Sequence, residues 1–243
     1  MSVSSAVYAH AAILSLIHDT QPEWGRKLHD MGRNKQMTLA LLPLSGQAML
    51  LRLTFIAGEG LSYATTIVNA LSAKPRLRLG AVVYAVDEIA LTGSPWTRIS
   101  TWADLLDPSP HRSMRIEFVT PSAITKKDDR ARRFTSLYPE PRDVFAGLAR
   151  RWQALDGPPL PPDLPDFVQR GGCVVANHNL HTVEFYTAER TQIGFVGHVV
   201  YECRQAEQEY VLAVNALGRF AFFAGVGYQT MRGMGAVCIS LNR

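Results

Sequence analysis

Three side chains able to transfer a proton or stabilise charge lie close together near the start of the sequence, between His18 and Lys35. His18 closes a predicted first helix, His29 lies in a second helix about one turn before Gly32, and Lys35 follows in a loop. An imidazole can take up or release a proton near neutral pH, and an ammonium group can stabilise developing negative charge. Each histidine alone is better explained as a cap for helix carbonyls. Together they indicate a site if these elements converge on one cleft.

A second candidate segment lies near the end of the sequence, in the stretch FFAGVGYQTMRGMG at Phe222–Gly235. Its glycines lie between a predicted helix and a predicted strand, the reverse of a dinucleotide-binding fingerprint, and the GK[ST] of a phosphate-binding loop is missing. Such a loop can bring backbone N–H groups close to a phosphate. Glycines required only by a tight turn are the alternative. The candidate residues are Gly225, Gly227, Thr230, Arg232, Gly233 and Gly235.

Basic residues are concentrated in the segment KKDDRARR at residues 126–133, which has five basic and two acidic side chains. The whole chain has 25 Lys and Arg against 21 Asp and Glu, a formal net charge of +4. The segment indicates either contacts to the backbone of a polyanion or an ordinary solvated surface. The candidate phosphate contacts are Lys126, Lys127, Arg130, Arg132 and Arg133.

Several classes of protein are excluded or disfavoured by what the sequence lacks. Its apolar runs are far shorter than the ~20 residues of a membrane span, and no export signal is evident, so we expect a cytoplasmic protein without a membrane partner. Three cysteines without CxxC spacing argue against a disulfide framework or a zinc ribbon. His178 and His181 are three residues apart without an evident third ligand, so we expect a polar loop there and no metal site. GxSxG and HExxH motifs are absent.

The first half of the chain predicts the element order α-β-β-α-β. Apolar spacing indicates two helices over Val7–Met31, divided at Pro22, and later a further helix followed by a strand rich in Val and Ile. The predicted elements after the first helix pair are strands at Met37–Leu44 and Ala48–Ile56, a helix at Leu61–Ser72 and a strand at Leu77–Leu91.

The second half predicts an order close to β-α-β-β-α-β, the ferredoxin-like order. The prolines of Pro158–Pro165 predict a linker or an extended cover. The predicted helices are Asp143–Leu155 and Tyr210–Phe223, and the predicted strands are Met114–Val119, Cys173–Ala176, Thr182–Tyr186, Thr191–Gly197, His198–Arg204 and Gly235–Leu241.

The fold class predicted from these orders is α+β, with two tandem ferredoxin-like (RRM-like) domains. We place the N-terminal domain at residues 1–110, with the candidate catalytic residues, and the C-terminal domain at 111–243, with the Gly-rich loop. Met1–Ser5 is too short to form a strand before the first helix. We therefore expect the first domain to lack its opening strand.

The two candidate segments together resemble the CRISPR-associated endoribonucleases that process precursor crRNA, within the RAMP superfamily. In that family an LH[DE] segment ends the second helix and a K-x-F/M-T strand opening follows. Leu28-His29-Asp30 and Lys35-Gln36-Met37-Thr38 fit this pattern. The C-terminal signature G-x-G-x-x-[TS]-x-x-G-x-G matches throughout residues 225–235.

This resemblance implies cleavage of CRISPR repeat RNA without a metal or another cofactor. The 2′-hydroxyl of the substrate would attack the adjacent phosphate and leave a 2′,3′-cyclic phosphate and a 5′-hydroxyl. His29 matches the catalytic histidine of the family, and His18 lies where related enzymes have the other proton-transfer group. Lys35 lies where some members have a lysine that stabilises the phosphorane. Which histidine is the acid and which the base is left open.

The implied partner is CRISPR repeat RNA, as pre-crRNA and crRNA; association with other CRISPR effector proteins and a homodimer are open alternatives. Two other functions also remain. One is a non-catalytic RNA-binding RAMP subunit of a CRISPR effector complex. The other is a metabolic ferredoxin-like enzyme for a small anionic substrate, which would need a closed pocket and would have no affinity for RNA.

Overall fold

The computed structural model describes residues 4–24, 26, 36–46, 48–56, 58, 60–186, 191–204 and 207–242. In the N-terminal half, the order of elements is the predicted α-β-β-α-β, with the last strand divided into a hairpin. The elements are α1 (Ser4–Thr20), β1 (Met37–Pro43), β2 (Met49–Phe55), α2 (Gly60–Ala73), β3 (Arg76–Leu79) and β4 (Val82–Ala85). The second helix that was predicted to end near Met31 lies mainly outside the described residues. Within it, only residues 22–24 and 26 are described, and they are helical.

Helix α1 is amphipathic because its small and branched residues recur three or four positions apart. Ala6, Ala9, Ile13 and Ile17 are all buried and pack in one cluster with residues of α2 and β3. Strands β1 and β2 are antiparallel, with Met37 opposite Phe55 and Pro43 opposite Met49. These elements fix the direction in which the end of α1 points.

The single strand predicted over Leu77–Leu91 is wrong. Gly80 has φ of +64° and reverses the chain, so β3 and β4 form a hairpin with Leu79 opposite Val82. After Ala85, residues 86–101 contain no helix or strand. The Val- and Ile-rich composition of this stretch therefore reflects a short hairpin followed by a long irregular segment.

The C-terminal half forms a four-stranded antiparallel sheet with the order β10-β5-β9-β8. In chain order these are its fourth, first, third and second main strands, as in a ferredoxin-like unit. The elements are α3 (Trp102–Leu105), β5 (Ser113–Ser122), β6 (Ile124–Lys127), β7 (Arg133–Ser136), α4 (Pro141–Ala154), α5 (Leu164–Gln169), β8 (Cys173–Tyr186), β9 (Thr191–Cys203), α6 (Gln208–Ala224) and β10 (Val237–Asn242).

The core of this half lies between the sheet and the helices α4 and α6. The rings of Trp102, Trp152 and Phe220 meet edge-on or tilted, with centroids 4.6 to 5.8 Å apart. Phe145 and Tyr201 make a further edge-on pair across the sheet and α4. Burial of large aromatic side chains contributes more to folding than any other residue type, so this cluster anchors both helices.

The structure departs from the predicted elements at several further places in this half. The two strands predicted at Thr191–Gly197 and His198–Arg204 form the single strand β9. The polar loop expected around His178 and His181 is part of the continuous strand β8, which pairs with β9 past a bulge between Val175 and Asn177. The polar residues fit a strand there because β8 is an edge of the sheet and His178 and His181 are exposed. The hairpin β6–β7 was not predicted. The Pro-rich run ends in α5, whose first turn contains Pro165, where a missing N–H is tolerated.

The α+β fold class with tandem ferredoxin-like units is confirmed. Its buried residues form two main clusters, one in each half of the chain, and each includes residues from the other half. Met231 belongs to the N-terminal cluster, while Ile56 and Leu105 belong to the C-terminal one. The boundary at residue 110 stays a prediction.

Candidate functional site

His18 lies in the last turn of α1 and its side chain is exposed. The preceding residue, Ile17, is fully buried, so the helix is anchored up to the position of the histidine. A basic side chain at a helix C-terminus is favoured by the helix dipole. The structure therefore presents one imidazole to solvent at a firmly held helix end.

His29 and Lys35 lie outside the described residues. The described chain resumes at Gln36, and Met37 is fully buried in the same cluster as Ile17. The start of β1 and the end of α1 are thus parts of one packed unit. The distances among the three predicted catalytic groups stay a matter of prediction.

The Gly-rich bend at residues 225–235 is shaped by the left-handed backbone of its glycines. All four have φ between +68° and +91°. A Cβ on Gly227 would lie 2.3 Å from the carbonyl oxygen of Ala123, and one on Gly235 would lie 2.2 Å from that of Val226. These four positions therefore require glycine for the fold of the bend, whatever the bend binds.

The bend also packs against α1. A Cβ on Gly233 would lie 2.4 Å from Cβ of Ala6, in the first turns of that helix. A helix rises about 1.5 Å per residue, so His18 lies ~18 Å further along α1. The structure thus brings the bend to one end of α1 and His18 to the other.

Within the bend, Thr230 is buried and Arg232 is exposed. The hydroxyl of Thr230 accepts a hydrogen bond from Nη1 of Arg151 at 3.0 Å, and its carbonyl accepts one from the N–H of Leu39 at 2.9 Å. Thr230 therefore links α4 and β1 to the bend. Arg232 and the exposed Gly227 are the predicted residues of the bend that remain accessible to a ligand.

The carboxyl end of α6, directly before the bend, has all of its last four carbonyls hydrogen-bonded. The N–H of Gly225 donates to Ala221 O at 2.8 Å, and Nη2 of Arg52 donates to Phe222 O, also at 2.8 Å. Arg151 donates to Ala224 O. Helix-terminal carbonyls usually lack intrahelical partners, and here side chains supply most of them.

Phe223 O completes this set with two threonine hydroxyls from the first half of the chain. The hydroxyls of Thr38 and Thr54 lie 3.0 and 2.7 Å from that oxygen and are also close to each other. Because each hydroxyl has a single proton, two of these three contacts can be hydrogen bonds at one time. Thr38 is the threonine of the K-x-M-T pattern. In this fold it has a structural role that the pattern alone does not indicate.

Sequence reasoning missed Arg52, which is buried, and Arg151, which is half-buried. Burial lowers the pKa of each to about 10, so both remain charged at neutral pH. Arg52 also lies over the Phe222 ring, 4.1 Å from its centroid. The position of Arg52 in a strand whose other residues are apolar except for Thr54, MLLRLTF, was the signal that could have identified it.

The basic segment 126–133 forms the β6–β7 hairpin, and its cations differ in their surroundings. Nζ of Lys126 lies 2.6 Å from Asp143 and 3.2 Å from Glu140. Partial burial opposes the charge on Lys126, but these two carboxylates outweigh it and raise the pKa of the amine. The charge of Lys126 is thus already balanced by two carboxylates within the fold. This makes Lys126 the weakest of the predicted phosphate contacts.

The other basic side chains of the hairpin are exposed. Arg132 pairs with Asp128 at 2.8 Å, although 73% of its side chain remains accessible. The hairpin starts beside the bend, since the N–H of Tyr228 donates to Ala123 O. Two predicted RNA-binding segments are therefore neighbours in space. The accessible cations of the hairpin are Lys127, Arg130, Arg132 and Arg133.

Among the described residues, there is no group of three or more His, Cys, Asp or Glu side chains arranged to hold a metal ion. None of the helices in the described ranges is long and apolar enough to cross a membrane.

Cys173 and Cys203 face each other across β8 and β9 and are both buried thiols. Their hydrogen bond raises the pKa of Cys173 and lowers the pKa of Cys203.

Comparison with known proteins places these features in context. A family model described as CRISPR-associated endoribonuclease Cas6 matches residues 116–237. A search of curated protein sequences gave no match. A Thermus thermophilus Cas6 in a product complex is similar over 99% of this chain and 95% of its own, with 26% identity and a TM-score of 0.88.

A second Cas6 has been solved in two complexes that are also similar. Its product complex covers 97% of this chain and 92% of its own, with 28% identity and a TM-score of 0.82. Its substrate mimic complex covers 93% and 92%, with 25% identity and a TM-score of 0.75. The similarity extends over both halves of the chain and agrees with the tandem fold.

Proposed function

The chain belongs to the CRISPR-associated endoribonuclease Cas6 family, and we propose that it cuts CRISPR repeat RNA by attack of a ribose 2′-hydroxyl on the neighbouring phosphate. The bond between phosphorus and the 5′-oxygen breaks as the bond to the 2′-oxygen forms. The products are a 2′,3′-cyclic phosphate and a free 5′-hydroxyl. The reaction needs a base, an acid and a positive charge near the phosphate.

We assign the two proton transfers to His18 and His29 and the positive charge to Lys35. Exposure of His18 at a rigid helix end supports its part, because an acid or base has to reach the substrate. The burial of Ile17 and Met37 in one cluster supports the proximity of the chain before and after the segment that contains His29 and Lys35. No metal ion is assigned a role in the proposed reaction.

We propose that the hairpin β6–β7 and the bend contact the backbone of the bound RNA. Four cations are exposed on the hairpin and Arg232 is exposed on the bend, and the bend contacts the start of the hairpin through Tyr228 and Ala123. Phosphate contacts by Lys and Arg release counterions, so binding should weaken steeply as salt is raised. Glycines that are needed for the fold of the bend would support this region rather than touch the RNA themselves.

One observation carries the proposed function: the likeness to Cas6 product complexes runs through the whole chain, including the helical unit that contains His18. A likeness limited to the C-terminal sheet would support RNA binding alone. A metabolic enzyme for a small anionic substrate has less support. That function needs a closed pocket, whereas the cations described here are exposed on a hairpin.

The first prediction concerns cleavage itself. Wild-type protein should cut its repeat RNA once in EDTA, and a 2′-deoxyribose at the scissile nucleotide should block cutting. His29→Ala should lower the single-turnover rate by about 10²–10⁴-fold because one proton transfer is lost. RNA affinity, measured by filter binding at fixed salt, should change little.

The control is His181→Ala, which removes an exposed imidazole from the edge strand β8 and should leave the rate unchanged. Cutting that requires Mg²⁺ or proceeds through the deoxy substrate would refute the mechanism. Bound but uncut RNA, with no effect of His29→Ala, would instead identify a non-catalytic RNA-binding subunit.

A further inference from the structure

An open groove lies between the chain that follows α1 and the first half of α2. Its volume is about 360 Å³, within the ~300–1,000 Å³ typical of small-ligand sites. It is separate from the bend and the hairpin described above. The residues that matter here are Gln21 and Trp24 on one wall and Leu61, Ser62, Thr65 and Asn69 on the other.

The wall formed by α2 lacks charge. Its fourteen residues, GLSYATTIVNALSA, include no Asp, Glu, Lys or Arg. Leu61, Thr65 and Asn69 are four residues apart and so share one face, and all three are exposed. Exposed helix faces usually carry charges, so a neutral one with hydroxyl and amide groups suits a neutral ligand that forms hydrogen bonds.

Trp24 adds a flat apolar surface to this polar groove. Its ring meets that of Tyr63 edge-on, with centroids 4.9 Å apart and an angle of 81° between the planes. Tyr63 is fully buried, so the contact holds Trp24 in place. A half-buried indole next to amide and hydroxyl groups is the combination that proteins use to stack and read an unpaired base.

The groove is continuous with the helix end that carries His18. The N–H of Gln21 donates to Ile17 O at 2.7 Å, extending the hydrogen bonding of α1 to the groove wall. A base in the groove would therefore contact Gln21, which follows the proposed proton-transfer residue His18 by three positions in the chain. This position suits a nucleotide that flanks the scissile phosphate.

We propose that this groove binds one unpaired nucleobase of the RNA, stacked on Trp24 and hydrogen-bonded by Gln21, Ser62 and Asn69. The inference rests on the proposed function and adds a base-binding subsite to it. Its role is to fix the nucleotide beside the cleavage point, whereas the hairpin holds the RNA backbone.

The test combines an abasic scan of the repeat RNA with variants of the groove. One abasic position should weaken binding to wild type about tenfold, since stacking of one base is lost. Trp24→Leu should bind intact RNA about tenfold more weakly and should be insensitive to that abasic position, while Trp24→Phe keeps the sensitivity. Equal abasic effects in wild type and Trp24→Leu would overturn the proposal.

A second variant avoids the packing of Trp24 against Tyr63. Ser62→Ala combined with Asn69→Ala changes only exposed side chains and should also weaken binding, whereas Ser72→Ala, exposed on the same helix and not part of the groove lining, should not. Unchanged affinity in the double variant, together with weakened binding of intact RNA by Trp24→Leu, would overturn the hydrogen-bonding role of the groove.

Failure of the proposed function would be recognised separately, as a wild-type protein that neither binds nor cuts the repeat. A short single-stranded RNA of mixed sequence then tests the groove alone through tryptophan fluorescence. Quenching in wild type that is lost in Trp24→Leu would support base binding. Equal quenching, or none, in both proteins would overturn it.

Discussion

Arg52 lies between the two halves of the chain with only 6% of its surface exposed. Its Nε donates to Trp96 O at 3.0 Å and its Nη2 donates to Phe222 O at 2.8 Å. Arg98 lies over the same Phe222 ring, 4.6 Å from the centroid, but is exposed. The two arginines thus share one aromatic contact and differ in burial and hydrogen bonding.

The second prediction uses this difference. Arg52→Met should lower the free energy of unfolding by about 2–4 kcal/mol, because the buried carbonyl of Phe222 and the part-buried carbonyl of Trp96 lose a charged donor. Arg98→Met should lower it by less than about 1 kcal/mol, since only an exposed cation–π contact is lost. Urea denaturation of both variants at pH 7 is the measurement, and equal effects would contradict the assigned role of Arg52.

The third prediction follows from Lys126 and its two carboxylates. Partial burial raises the pKa of Glu140, but the charge and hydrogen bond of Lys126 outweigh this and lower it below its usual 4.5. A carboxyl whose folded pKa is lowered stabilises the protein above its unfolded pKa, and this stabilisation is lost as pH falls through the folded value.

Wild type should therefore lose more stability than Lys126→Met between pH 6 and pH 3. The difference should be below about 1 kcal/mol, because Glu140 is 36% exposed and solvent screens the pair. Parallel urea titrations at the two pH values measure it. A variant with the same or a steeper pH dependence would show that the pair does not contribute.

Among the elements, the Gly-rich bend is the one whose backbone most clearly requires particular residues, namely its glycines. Gly227 has φ of +89° and an added Cβ would lie 2.3 Å from Ala123 O. Gly93 has a similar φ of +81°, but nothing lies within 4 Å of the position of its Cβ. Both glycines are exposed and have a left-handed backbone, and they differ in whether an added Cβ would clash. Comparing them therefore separates the cost of the backbone conformation from the cost of the clash.

The fourth prediction compares alanine at these positions. Gly93→Ala should lower the free energy of unfolding by about 1 kcal/mol, the cost of a left-handed backbone for an L-residue. Gly227→Ala should lower it by about 3 kcal/mol or more, because the bend must also move away from Ala123. Thermal or urea unfolding gives both values, and equal losses would mean that the bend yields freely.

The elements that the sequence predicted best are those with a clear period. Helix α4 and strand β5 follow from apolar spacing because one face of each packs on the core. Strand β8 was divided in the prediction because its residues around His178 are polar. They are polar because β8 is at the edge of the sheet and exposed, and the position of a strand in a sheet cannot be deduced from periodicity. The hairpin β6–β7 was not predicted because residues 126–133, which include its turn, are almost all charged and show no alternation of apolar and polar residues.

The candidate site was predicted only in part for a related reason. His18 and the bend were recognised from residue types and motif spacing, but the fold separates them by the length of α1. The neutral groove at Trp24 contains no motif or charged residue, and its two walls come from separate helical segments. Such a site becomes visible only when the packing is known.

At the scale of the whole molecule, the two halves are joined at the carboxyl end of α6. Thr38 and Thr54 hold Phe223 O from the first half, and Met231 of the bend is buried in the N-terminal cluster. These contacts bury Thr38, Thr54 and Met231 at one junction. We therefore expect the halves to unfold together.

The fifth prediction is a single unfolding transition. Tryptophan fluorescence and far-UV circular dichroism should give coincident urea curves for wild type. Thr38→Val combined with Thr54→Val should shift both curves to lower urea, by about 1–3 kcal/mol, because Phe223 O loses its donors while the shape is kept. Two separate transitions in the wild type would contradict a shared junction.

The capped end of α6 bears on any attempt to dissect this protein. A fragment that begins after residue 110 would keep all four strands of its sheet, but Phe222 and Phe223 would have bare carbonyls and Met231 would face water. Grafting the C-terminal half onto another partner would fail in the same way unless β1 and β2 came with it. The RNA-binding surface that we propose at the bend therefore depends on both halves of the chain, because β1 and β2 hold the end of α6 from which the bend starts.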